Sequence, residues 1–190
     1  MKEPNRHISA LEAMELVIQH QPLIDFHITG TVDLRKITDE FKRELLIENC
    51  KLDKLDAPAI CFSKKVLLID SHFNDCVFNY AYFNGGLTID NCIFENYLDF
   101  EAGGHNQNGN IFLITNSQFK SFVNFFDCWF QSDVSIIKNE FLMGTNLLGN
   151  LNESWRTQFD VEPVILDNTG RLNLNGDGNR GANIIFLNQI

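Results

Sequence analysis

The chain has 190 residues, 44% of them hydrophobic, and a formal net charge of −10 from 15 basic and 25 acidic side chains. That is enough apolar material for one domain with a sizeable core, and it excludes a disordered chain. The acidic balance excludes the basic face on which ordinary nucleic-acid binding depends, and no apolar run approaches the ~18 residues of a membrane span.

The first predicted element is a helix over residues 10–20. Ser9-Ala10-Leu11-Glu12 forms a capping box, Leu11, Met14, Val17 and Ile18 follow at helical spacing, and Pro22 lies beyond the end. Residues 1–22 are therefore expected to form a cap, its apolar face laid over the first coil of the domain at 23–190. Charged residues stand where a secretory leader would carry its apolar stretch, so a cytoplasmic protein is expected. Residues 23–34 alternate like an early strand or coil, and residues 37–45 read as a short helix or loop.

From residue 45 a segment recurs: LLIENCKL at 45–52, LLIDSHF at 67–73, LTIDNCIF at 87–94, FLITNSQF at 112–119 and VSIIKNEF at 134–141. The closing residues Leu52, Phe73, Phe94, Phe119 and Phe141 are separated by 21, 21, 25 and 22 positions. A period of this length with so short a motif is one coil of a solenoid. A finer unit lies inside it. Phe73, Phe78 and Phe83 are five apart, and two positions before each stands a small residue, Ser71, Cys76 or Ala81. Residues two apart on an extended chain share a side, so both point inward while the residue between them points out. Polar residues after the large one supply the turn. Asn49, Asp70, Asn91 and Asn116 hold equivalent turn positions and predict an Asn/Asp ladder bonded to nearby backbone.

The run SHFND-CVFNY-AYFNG at 71–85, with Cys50/Leu52, Cys92/Phe94, Ser117/Phe119 and Cys128/Phe130 elsewhere, resembles the pentapeptide-repeat family. The resemblance covers roughly residues 45–141. It implies an all-β right-handed parallel β-helix, here of about six or seven coils of 20–22 residues each, square in cross-section; a triangular β-helix with three longer strands per coil is the competing geometry. Residues 101–110 and 142–163 interrupt the pattern and read as loop excursions. Residues 164–176 return as one more coil, and Ile184 to Leu187 finish as an apolar strand. The C-terminal end must be covered by the excursion, by that strand or by a second subunit, so the chain is a monomer or a homodimer through this end.

Candidate chemistry is sparse. Four of the five cysteines (Cys50, Cys76, Cys92, Cys128) occupy small inward slots; with Cys61 they are expected to be reduced core thiols and not zinc ligands. The five histidines are scattered, and no cofactor or metal is expected. Residues 66–119 hold six acids, Asp70, Asp75, Asp90, Glu95, Asp99 and Glu101, and no Lys or Arg. This stretch is a candidate face for a basic partner, and Trp155 with Arg156 in the second excursion is a candidate contact. The expected function is a non-enzymatic scaffold for an unidentified protein partner, without direct nucleic-acid or membrane contact. Family resemblance adds the alternative of an acidic DNA mimic directed at a type II topoisomerase or another basic DNA-binding protein. A carbohydrate-active β-helix enzyme is a third reading; it lacks a basic residue beside Asp70, Asp90 and Asp99 for proton transfer.

Overall fold

The structure is a computed structural model that describes residues 3–178. It is a parallel β-solenoid of about six turns with one short helix near the N-terminus, as the repeat predicts. The coil from Val66 shows the plan. Val66–Ile69 forms the first face, the strand His72–Val77 bends through the second and third, and Tyr82 joins a fourth ladder. Each face pairs in register with the coils before and after: Leu68 with Ile47 and Ile89, Phe73 with Leu52 and Phe94, Cys76 with Leu55 and Leu98, and Tyr82 with Cys61 and Gly104. Four ladders make a four-sided coil, with Leu68, Phe73, Phe78 and Phe83 pointing inward from successive sides.

The corners explain the polar residues. Between the first and second faces, Asp25, Asn49, Asp70, Asn91, Asn116, Lys138 and Asp167 all have φ between 47° and 62°. Asn and Asp tolerate this left-handed region better than other L-residues, which is why they recur here. The ladder bonds differently from the expectation. Its rungs run from side chain to side chain: Asn91 Nδ2 donates to Asp70 Oδ1 at 2.6 Å, Asn116 Nδ2 to Asp90 Oδ1 at 2.9 Å, and Asn49 Nδ2 to Asp25 Oδ1. Coils stacked one strand spacing apart bring amide and carboxylate within direct reach.

The core is a bundle of ring columns. On the second face Phe73, Phe94, Phe119 and Phe141 stack at 5.0, 5.1 and 4.9 Å. On the third, Phe78, Phe100 and Phe125 stack at 5.6 and 5.1 Å; on the fourth, Phe62 stacks on Phe83 at 5.4 Å and meets Phe41 in a tilted contact at 5.3 Å. Ile47, Leu68, Ile89, Ile114 and Ile136 fill the first face. The small slots also connect coils: the Cys50 and Cys92 amides donate to Ser71 Oγ and Ser117 Oγ, both at 3.0 Å.

The two interruptions are smaller than the pattern suggests. Residues 101–110 stay within the coil, because Gly104 bridges both Tyr82 and Trp129. The added length sits between residue 104 and the strand at 112, with one further residue at the corner before Leu98. Asn106 plugs the extra turn from inside, donating to Asn110 O and Asp133 O, both at 2.9 Å. Likewise Thr145 pairs with Val123 and Leu147 is buried, so the second excursion narrows to residues 151–156 before Gln158–Phe159 rejoins the fourth face. Residues 164–170 pair with the preceding coil on its first two faces and so begin the further coil expected at 164–176.

At the N-terminal end the helix is Ala10–Ile18 with the capping box formed: Ser9 Oγ accepts from the Glu12 amide at 3.3 Å and the Ser9 amide donates to Glu12 Oε2 at 2.8 Å. Its buried face is Ala10, Ala13 and Val17, with Met14 partly covered; Leu11 and Ile18 are exposed, contrary to expectation. The reason is the strand Arg6–Ser9, which pairs with Phe26–Asp33 and fixes the helix's entry so that its small residues meet the sheet edge. The stretch 37–45 forms no helix; a 3₁₀ turn at Leu34–Lys36 precedes it, and Glu40–Phe41 opens the fourth ladder. The apolar run at 184–187 lies outside the described residues.

Candidate interaction surface

The six acids do not form one stripe. Asp70 and Asp90 belong to the corner between the first and second faces, each bonded to an asparagine of the adjacent coil. Asp75 lies beyond Phe73 at the next corner, where it accepts from Asn96 Nδ2 at 3.2 Å. Glu95 is held on the same flank by Lys120 at 2.8 Å and His72 at 2.6 Å. Lys120 lies outside the cation-free segment in sequence but one coil away in space. It is the main cause of the lowered Glu95 pKa, with the His72 hydrogen bond adding to it. Glu101 lies at the corner between the third and fourth faces.

Asp99 corrects the sequence reading outright: it is 1% exposed and belongs to the interior. It stands in a second ladder with Asn124 and Asn146. Asn124 Nδ2 donates to Asp99 Oδ1 at 3.0 Å, and Asn146 Nδ2 to Asn124 Oδ1 at 2.7 Å. The Glu101 amide also donates to Asp99 at 3.0 Å. A carboxylate so bonded is part of a corner and unavailable to a partner.

Trp155 and Arg156 lie in the exposed excursion, and the Trp155 ring stacks on Phe126 at 5.7 Å. This contact joins Trp155 to a feature absent from the sequence reading. Tyr80 is 51% exposed, Tyr82 43%, Trp129 39% and Trp155 42%. Both tryptophans and two of the three tyrosines of the chain thus share the fourth face and the corner leading into it. A signal for them existed. Tyr82 and Trp129 occupy the residue between the small and large positions, in Ala81-Tyr82-Phe83 and Cys128-Trp129-Phe130, and that residue must point outward.

Local geometry fixes these rings. Gly104 bridges Tyr82 and Trp129 at φ 97°, and a Cβ there would meet Trp129 O at 2.7 Å. The missing side chain leaves a gap in the outer row that His105 fills, its ring 4.0 Å from Tyr82 and 5.5 Å from Trp129. Burial there depresses the His105 pKa and favours the neutral imidazole. Trp129 Nε1 donates to Asp160 Oδ1 at 2.9 Å, and Asp127 occupies a left-handed corner at φ 56°.

Elsewhere, a cavity of about 410 Å³ opens between the helix end and residues 36–45, with Lys36, Lys42 and Arg43 mixed among Glu40 and Glu44. Among the described residues no group of three or more His, Cys, Asp or Glu side chains could hold a metal ion, and no helix is long and apolar enough to cross a membrane. All five cysteines are free thiols; four are buried and Cys61 is partly exposed. Comparison with known proteins found no matching family model, no matching curated protein and no matching solved structure.

Proposed function

We propose that this chain is a non-enzymatic scaffold for protein–protein interaction, a degenerate member of the pentapeptide-repeat family that works in the cytoplasm. The observation that carries this reading is the gathering of exposed Tyr and Trp on one flank of the column. Exposed planar rings in a row are costly to solvate, and Tyr and Trp dominate protein interaction hot spots. The free thiols suit a reducing compartment.

DNA mimicry draws less support. A mimic needs its carboxylates along one continuous line, whereas here they divide among three corners, Glu95 is paired with Lys120 and Asp99 is buried. Affinity capture from the native cell tests the scaffold reading: specific co-purifying proteins are expected, and a reproducible failure to retain any would overturn it. Inhibition of a purified type II topoisomerase by this protein would instead revive the mimic.

A further inference from the structure

The aromatic corner also carries the chemistry that selects a partner. Its backbone is already engaged between coils: the Tyr80 amide donates to Glu101 O at 2.6 Å, Ala102 to Phe126 O at 2.8 Å and Asp127 to Trp155 O at 2.7 Å. A partner lying along this flank therefore meets side chains and not a strand edge. Those side chains are tilted rings, Tyr82 at 37° to His105 and His105 at 71° to Trp129, an arrangement that leaves parts of ring faces uncovered. Asp160 stands beside Trp129, and exposed Asp127 holds the corner two residues before it. Asp160 accepts one bond from Trp129, and a carboxylate has capacity for more.

We propose that this corner docks an extended basic segment of a partner protein, its arginine guanidinium groups laid on Tyr82, Trp129 and Trp155 and met in charge by Asp127 and Asp160. The proposal rests on the scaffold reading and names the class of its partner. Guanidinium stacks on aromatic faces while its edge bonds carboxylates, and both features are present at this corner. The net charge of −10 adds long-range attraction for such a segment. Single-stranded nucleic acid also stacks on rings, but its platforms lie in positively charged grooves. A second copy carries the same net charge of −10, so its approach meets like-charge repulsion.

The chain's two tryptophans both lie in this corner, so intrinsic fluorescence reads it directly. The probe is a short unstructured peptide of alternating arginine and serine, titrated at low salt. We expect a saturable fluorescence change, weakened by added salt. Replacing arginine by lysine, or the protein by Tyr82→Ala or by Asp127→Asn with Asp160→Asn, should weaken binding about tenfold. These side chains are at the surface, so each variant should retain the wild-type melting temperature. The proposal is overturned by the absence of saturable binding, by equal affinity in the variants, or by tighter binding of a neutral oligosaccharide or oligothymidylate. Parallel capture with wild type and Tyr82→Ala/Trp129→Ala separates the two readings. No protein retained by the wild type ends the scaffold reading; proteins retained equally by both end the docking corner alone.

Discussion

Phe94 sits between Phe73 and Phe119 at 5.0 and 5.1 Å, so its ring is a link in a continuous column and not one apolar residue among many. Truncation would open a cavity that rigid, hydrogen-bonded coils cannot collapse to fill. Phe94→Ala should therefore cost about 3–5 kcal/mol, read from the midpoint of denaturant unfolding; a loss below ~1 kcal/mol would mean the coils do close up. The thiols test the small slots. Burial raises the Cys50 pKa to about 11 and the Cys92 pKa to about 12, and it pushes Cys76 and Cys128 up as well. A raised folded-state pKa leaves the native state protonated after the unfolded thiols have ionised. Its contribution to stability is complete below about pH 8.5 and is lost as pH rises toward 11–12. Stability should thus fall across that alkaline window, and Cys61 should react with a thiol reagent before the other four. Rapid native-state labelling of all five would contradict the packing.

The helix is short, and its capping box decides whether it persists against the end of the column. Ser9→Ala removes the acceptor for the Glu12 amide and should cost about 1 kcal/mol in thermal or denaturant unfolding. Deleting residues 1–21 goes further. It strips the strand Arg6–Ser9 from its pairing with Phe26–Asp33 and uncovers the sheet edge. Such an edge templates association, so the truncated chain should aggregate; a soluble monomer with an unchanged melting temperature would show that the helix and strand cap nothing. The excursion at 151–156 is the opposite kind of element, exposed and flanked on both sides by paired residues. Brief digestion should cut after Trp155 or Arg156 first and leave the column folded, because Gln158–Phe159 remains bonded to the coil below. Initial cleavage in the coils at 66–100 would show that the regular part is the weaker one.

At the scale of the molecule, the solenoid converts residues far apart in sequence into neighbours one coil apart. That conversion builds the aromatic corner from Tyr80, Tyr82, His105, Trp129 and Trp155, and the same conversion takes the acidic stretch apart. Lys120 comes to Glu95 from outside the base-free segment, and Asp99 turns inward to join Asn124 and Asn146. A linear charge count could not register either event, because each coil spreads about five consecutive residues over each of four differently oriented sides.

The repeat by itself determined the solenoid, the Phe columns, the inward cysteines and the Asn/Asp corner, since side-chain direction in an extended chain follows from position alone. Even the outward placement of Tyr82 and Trp129 was present in the small-x-large motif. Tertiary structure decided everything that depends on which coil lies above which. It set the side-chain rungs between Asn91 and Asp70, the retention of Gly104 in its ladder, and the entry of the helix through a strand that buries Ala10 and Ala13 in place of Leu11 and Ile18. The physical reason is that contacts across coils depend on register, and register is fixed by where single residues are inserted at corners, as before Leu98 and after Gly104, rather than by the character of any one repeat.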